Sequence, residues 1–269
     1  MKFSIVTISY NQAQFLEEAI LSVLNQEGVD IEYIVVDPGS TDGSREIIER
    51  YRDRIARVIF EPDHGPADGL NKGFALATGD VYGFLNSDDV FRPGALAKAA
   101  RYFERHPHID VVSAHAHLID ERGALLHRVF SRRFSVYGYL ARGLVIIQQS
   151  TFCSAAAYRR TDGFNVLNRT CWDGELWVDL AVAGVKFGMA HDFWSGYRVH
   201  GNSITGTMVR DGYRDIYAED FDRMRRRLHC RAEVPARIAQ LIRIESWLRD
   251  PVVLMLRLGD GLIHPNRVL

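Results

Sequence analysis

Two rhythms of apolar and polar positions alternate along the first hundred residues. Phe3-Ser-Ile-Val-Thr-Ile-Ser9 is a nearly continuous apolar run of strand length, and the next segment sets Phe15, Leu16, Ala19, Ile20, Val23 and Leu24 at helical spacing. Ile31-Glu-Tyr-Ile-Val-Val-Asp37 repeats the strand pattern. After the capping residues Ser40, Thr41 and Asp42 comes a helix with Ile47, Ile48, Tyr51 and Ile55 on one face. A third strand near Arg57 to Glu61, a helix from about Ala67 to Ala77 and a fourth strand from Val81 to Asn86 complete the alternation.

Alternation of this kind predicts an α/β fold, a mainly parallel, twisted sheet covered by helices on both faces. Ligands of such sheets sit beyond the carboxyl ends of the strands. Ser9-Tyr10-Asn11, Asp37-Pro-Gly-Ser-Thr-Asp42, Asp63-His-Gly and Asn86-Ser-Asp-Asp89 all follow strands, so four strand ends point at one rim. Pro93 opens a helix to about Arg105, and Ile109 to Ile119 with Ala124 to Phe130 reads as a hairpin around Glu121-Arg122-Gly123, which makes the sheet mixed. Beyond Gly201 the chain turns to Arg-rich helical segments near 209–229 and 235–249, then a short apolar piece at 252–258. The expected organisation is a domain at 1–205, divided near 106, and a helical C-terminal appendage at 206–269.

Composition adds limits. A formal net charge of -1 gives no chain-wide basic field for nucleic acid. The tail is locally basic: Arg223, Arg225, Arg226, Arg227 and Arg231 crowd together, and Arg237, Arg243, Arg249 and Arg257 follow. That run is either a solvated helix face, a contact for an anionic membrane surface or a contact for a partner subunit. Cys153, Cys171 and Cys230 suit neither a disulfide framework nor a zinc cluster, and a reducing cytoplasm is the expected location, with peripheral attachment to the membrane's inner face as the extension. The apolar run at the N-terminus is too short for a signal peptide's core, and no stretch reaches the roughly 18 apolar residues of a membrane span.

Several side-chain groups are suited to chemistry. Asn86-Ser-Asp-Asp89 sets hard oxygen ligands after a buried strand, fitting Mg²⁺ or Mn²⁺ bound with a phosphate; either carboxylate also suits the cap of the helix after Pro93. The segment Asp37-Pro-Gly-Ser-Thr-Asp-Gly43 offers carboxylates at Asp37 and Asp42 that could accept from a base or ribose, or that serve the turn itself. Asp68, Asn71 and Lys72 lie on a helix unusually rich in glycine, which implies close backbone approach to a ligand or to a neighbouring element.

Thr7-x-Ser-Tyr-Asn11, Val36-Asp-x-Gly-Ser-Thr-Asp42, Asn71-Lys-Gly with Ala77-Thr-Gly-Asp80, and Phe84-Leu-Asn-Ser-Asp-Asp89, in this order, resemble the inverting family 2 glycosyltransferases of the A-type fold over about residues 2 to 205. The resemblance implies a nucleotide-sugar half at 1–106 and an acceptor half at 107–205. It further implies that Thr7, Tyr10, Asn11, Asp37, Asp63, Asp68, Lys72, Asn86 and Ser87 bind the donor, with Asp37 accepting from the base. Asp88 matches the metal-binding acid of an Asp-x-Asp motif whose first position is Asn86 here. Thr170-Cys-Trp-Asp-Gly-Glu resembles the segment that carries the catalytic base, which places that base at Asp173, with an N-cap role or the rival carboxylates Glu175 and Asp179 as alternatives. Arg198-Val-His-Gly-Asn-Ser203 matches an Arg-x-His-x-x-Ser element in which His200 completes the metal shell or touches the diphosphate. Gln149 and Trp172 fall on the acceptor side.

The expected activity is therefore inverting, Mn²⁺- or Mg²⁺-dependent transfer of a sugar from a nucleotide diphosphate donor, UDP by preference. The acceptor would be a glycan or lipid-linked hydroxyl in cell-surface polysaccharide or glycolipid assembly. Rival readings are a sugar-phosphate nucleotidyltransferase, which would want a Gly-rich basic loop where Tyr10-Asn-Gln-Ala13 stands, and a catalytically silent binder of glycans or nucleotide sugars.

Overall fold

Strand β1 (Lys2–Ile8), helix α1 (Ala13–Leu24), β2 (Asp30–Val36), α2 (Ser44–Arg50), β3 (Arg57–Ile59), α3 (Pro66–Ala75) and β4 (Val81–Asn86) form the N-terminal half in a computed structural model. The structure describes residues 1–142, 144–201, 203, 213–229 and 234–263. Cys230, Arg231, the residues before Tyr213 in the expected 209–229 helix, the expected boundary at 205/206 and the side chains of Arg243 and Arg249 lie outside the described residues.

β1 is the hub. It pairs in parallel with β2 on one side and β4 on the other, and β2 pairs in parallel with β3. Because side chains alternate across a strand, Ile5 faces one way with Tyr33 and Val35, while Val6 faces the other with Ile34 and Val36. Both faces are covered, α1 and α2 adding Leu16, Ile20 and Ile48 to the first side and α3 adding Leu70 and Phe74 to the second. Near-continuous apolar runs in β1 and β2 follow from this two-sided burial.

The chain continues through β5 (Val90–Phe91), α4 (Ala95–Arg105), β6 (Val111–Ile119), β7 (Leu125–Val129), α5 (Val136–Leu140), β8 (Thr151–Ser154), α6 (Ala155–Tyr158), α7 (Trp172–Val182) and β9 (Phe187–Arg198). β8 joins β4 and β6 antiparallel, β9 runs parallel to β6, and β5 lies antiparallel to β9, so the sheet is mixed. The order is β3-β2-β1-β4-β8-β6-β9-β5, with β7 paired to β6 as the expected hairpin. Asp120 closes that hairpin by accepting from the amides of Arg122 and Ala124, ahead of Gly123 at φ +80°.

The tail forms α8 (Tyr213–Arg227), α9 (Ala236–Arg249) and α10 (Pro251–Ile263). Helix α8 packs into the core, where Phe221 and Met224 join the cluster that holds Trp177 and Phe134. Its arginines make internal contacts: Arg223 pairs with Asp220, Arg225 with Asp222 and the Leu140 carbonyl, and Arg227 with Glu175 and Asp179. Of the three readings open for this segment, a purely solvated face does not describe Arg223, Arg225 and Arg227, whose guanidinium groups hold the helix down, while Arg226 stays exposed. Val253 of α10 packs on Phe130 and Met189, while Leu241, Met255 and Leu258 stand exposed. Among the described residues no helix is long and apolar enough to cross a membrane.

Candidate active site

The ends of β1, β2 and β4 open on a cleft of about 600 Å³. Its wall includes Ser9, Tyr10, Gly39, Asp63, Asn86, Ser87, Asp88, Asp89, Trp172, Tyr197 and Ser203, and contains no lysine or arginine among the described residues. Tyr10 is 62% exposed, a ring standing free at the mouth.

The two aspartates after β4 have separate tasks. Asp89 is buried and accepts from the Arg198 amide (2.9 Å), the Gln149 side-chain amide (2.7 Å) and the Asn86 side-chain amide (3.3 Å), so it ties β4 to β9. Burial, and then the charge of Asp88, push its carboxyl well above the usual range. Asp88 is left free of that scaffold, with its Oδ2 3.0 Å from Nε2 of His200. Arg198 fixes the pair: its guanidinium donates to the carbonyls of Asp88, Asp120 and Glu121 and to the carboxylate of Glu18. The His200 ring rests on Phe15 at 4.6 Å between centroids.

The fit to a divalent ion can be judged on this pair. Two neighbouring ligands about 2.1 Å from one ion in octahedral geometry stand about 3 Å apart, the separation seen between Asp88 and His200. The Asp88 carboxylate suits Mn²⁺ or Mg²⁺ when substrate phosphates supply further oxygens, and an imidazole nitrogen beside it favours Mn²⁺ over the all-oxygen-preferring Mg²⁺. Among the described residues no group of three or more His, Cys, Asp or Glu side chains forms a closed metal site.

Asp37 stands just behind the wall, fully buried. Its Oδ1 accepts from the amides of Gly39 and Ser40 and from Nε of Arg45, while Oδ2 has no partner among the described residues. A buried, unpaired carboxylate oxygen next to the cleft fits a ligand N–H, since leaving it unmade is costly. Asp63 accepts from the Gly65 amide, and burial raises its carboxyl. The Oδ1 of Asn86 is likewise buried without a partner among the described residues.

Besides Asp37, His200 and Asp173, five further residues expected at the ligand stand outside this wall, each for a visible reason. Thr7 lies on the opposite face of β1 from Ile8, fully buried, with its hydroxyl accepting from Tyr33. Asn11, at φ +50°, accepts from the Thr41 amide and so laces the β1 and β2 loops together. Asp68 accepts from the His64 amide and pairs with Lys72, which also donates to the Pro62 carbonyl. Gln149 is buried behind Asp89. The glycines of α3 answer the choice between ligand and neighbour in favour of the neighbour, because a Cβ at Gly73 would lie 2.5 Å from Cγ1 of Val6. Asp42 serves its turn, accepting from Ser44 and from the Ala13 amide.

At the far side of the cleft, α7 begins with Trp172 in the wall and Asp173 one residue further on. The Asp173 carboxylate is half-buried among Tyr139 and Tyr217; burial raises its pKa against the opposing effect of the first helix amides. Asp173 is not part of the described cleft wall. Glu175, the first rival, is buried and held by Asn165, Asn168 and Arg227, and Asp179 pairs with Arg227.

The model of the family described as Glycosyl transferase family 2 matches residues 4–165. The chain belongs to that family. A curated relative is an uncharacterized glycosyltransferase of Nostoc, 39% identical over 131 residues that span 45% of this chain and 40% of that protein. Among solved structures, S. aureus TarS 1-349 in complex with UDP-GlcNAc matches with a TM-score of 0.64 at 18% identity, covering 91% of this chain and 71% of that one. The mannosyltransferase PcManGT of Pyrobaculum calidifontis in complex with GDP-Man and Mn²⁺ matches with a TM-score of 0.63 at 17% identity, covering 99% and 76%. At these identities the two structures establish the shared fold. For a family 2 glycosyltransferase the rim of strand ends is the place where donor chemistry is sought.

Proposed function

We propose that this glycosyltransferase transfers a sugar from a nucleotide diphosphate donor to a hydroxyl acceptor with inversion, and that a divalent cation accompanies the donor. The observation that carries the reading is the charge of the cleft. Asp63 and the open carboxylate of Asp88 line it and no lysine or arginine does, among the described residues, so a bare diphosphate is repelled and one paired with a cation is not. Asp88 and His200 would hold the ion, which when bound neutralises charge on the leaving diphosphate.

The chain's own groups do the rest. The free Oδ2 of Asp37 accepts from the base, and Tyr10 supplies a ring beside the nucleoside. Trp172 bounds the sugar and acceptor side and keeps water out. A carboxylate oxygen of Asp173 takes the acceptor proton as the hydroxyl oxygen attacks the anomeric carbon from the face opposite the diphosphate, a role typically worth 10²–10⁴ in rate. Burial favours this by bringing the pKa upward, towards the working pH.

UDP is the preferred nucleotide, supported only by the occurrence of UDP-GlcNAc in one structural relative, and a glycan or lipid-linked hydroxyl is the proposed acceptor class. Contact with an anionic lipid surface is assigned to the outer faces of α9 and α10, where Leu241 and Met255 are exposed, instead of to the α8 arginines. A panel of nucleotide sugars, each with Mn²⁺, Mg²⁺ or a chelator, tests the reading through nucleotide diphosphate release. One donor should turn over and the chelator should stop it; turnover indifferent to chelator would remove the cation, and formation of a sugar nucleotide from sugar phosphate would favour the nucleotidyltransferase.

A further inference from the structure

We propose that Asp220, on helix α8 and beyond the family-matched region, is a positioning residue that clamps the loop carrying Asp173 into α7. The proposal rests on reading Asp173 as the base. Helix α7 starts without a side-chain cap: its N-cap is Cys171. The approach to it is fixed from outside instead. Oδ2 of the buried Asp220 accepts three hydrogen bonds, from the amide of Arg169 (3.0 Å), the amide of Thr170 (3.1 Å) and the hydroxyl of Thr170 (2.7 Å), while Arg223 neutralises Oδ1. Asn168 completes the loop by accepting from the amides of Thr170 and Cys171 and donating to Glu175.

A second grip lies two turns along α8, where Arg227 pairs with Glu175 and Asp179 of α7. Between the two grips Phe221 stacks on Tyr139, the residue whose hydroxyl meets the turn at Gly174. One helix thus sets the height and rotation of the first turn of α7, three residues after the loop that Asp220 holds. The amides that Asp220 binds precede the N-cap, so it fixes the approach to α7 and not its first turn directly, and a charged acceptor that binds three donors at once is a strong one.

The test compares Asp220→Ala, Asp220→Asn and the milder Thr170→Val in the full chain, with Asp173→Asn alongside. Amide hydrogen exchange needs no donor, and residues 169–173 should lose at least tenfold protection in Asp220→Ala. Turnover, read as nucleotide release from UDP-GlcNAc and from GDP-mannose with Mn²⁺, should fall about 10- to 100-fold in kcat, the penalty of misplacing a reacting group by about 1 Å. Affinity for UDP with Mn²⁺ should stay within twofold, and Asp220→Asn, which keeps an acceptor oxygen, should recover most of the loss. Thr170→Val should show the same pattern, smaller. Wild-type exchange at 169–173, or wild-type kcat in Asp220→Ala, overturns the clamp. Full turnover in Asp173→Asn would instead strike the base itself, and the role of Asp220 would fall with it.

Discussion

Gly174 follows Asp173 directly, and a Cβ added there would lie 1.6 Å from the Tyr139 hydroxyl oxygen and 2.3 Å from its Cζ, against 3.4 Å or more in ordinary contact. Tyr139 cannot swing away cheaply, since its ring stacks on Phe221 at 5.3 Å and packs near Phe134 at 5.8 Å. Gly174→Ala must therefore displace the first turn of α7 or break that stack. Overpacking of this kind costs about 1–3 kcal/mol, and the better helix propensity of alanine returns up to about 1 kcal/mol. The net loss of stability should be about 0–3 kcal/mol, a fall in Tm. Turnover should suffer more, because Asp173 moves with the turn: about 100-fold in kcat for a displacement of about 1 Å. Thermal unfolding and nucleotide release, measured together with donor KM, check this. A variant with kcat within twofold of wild type would refute the claim that this turn positions the base.

Asp173→Asn should lower kcat by about 10²–10⁴ with donor affinity kept, and single-turnover assays beside UDP titration would show it. The wild-type kcat should fall as pH drops through the raised pKa of Asp173, placing the acid limb above the usual aspartate value of about 3.9; a limb at or below that value would contradict the burial argument. Asp88→Asn should raise the Mn²⁺ concentration for half-activity at least tenfold, read by metal titration of turnover, and equal titrations would exclude Asp88 as a ligand. At the opposite end of the sheet Glu32 has a carboxyl lowered to about 2: burial opposes this, but hydrogen bonds from Ser4, from Thr78 and from Lys2 outweigh it. Its folded pKa is depressed, so its stabilisation is complete above the unfolded pKa of about 4.3 and lost as pH falls towards 2. Glu32→Gln should cost on the order of 2 kcal/mol at pH 7, discounted for the partly exposed Lys2, and little near pH 2, by denaturant unfolding at both pH values.

The parallel half of the sheet was legible because β1, β2 and β4 are buried on both faces, which writes strand and helix as different periods. The rim was legible for the same reason, since polar residues ended each apolar run. Side-chain direction was not. Thr7 and Ile8 differ by one position and face opposite sides of β1, so a motif match could not say that Ile8 meets the cleft and Thr7 the Tyr33 hydroxyl. Asp68 and Lys72 share the outer face of α3 at i,i+4, where they satisfy each other, and only the buried Gly69 and Gly73 reveal that face as outer. β9 escaped because its pairing with β6 shifts register twice and blurs the alternation. The internal role of the α8 arginines was hidden as well, their partners Leu140, Glu175 and Asp179 being far away in sequence.

Crystals of the chain grown with Mn²⁺ and a turned-over donor's unreactive analogue, read by anomalous scattering at the manganese edge, bear most directly on the cation and the base. The ion should lie within about 2.3 Å of Asp88 and His200, bridge to the diphosphate, and leave the anomeric carbon facing Asp173. An ion held elsewhere, or a sugar with its anomeric face turned from Asp173, would contradict the mechanism.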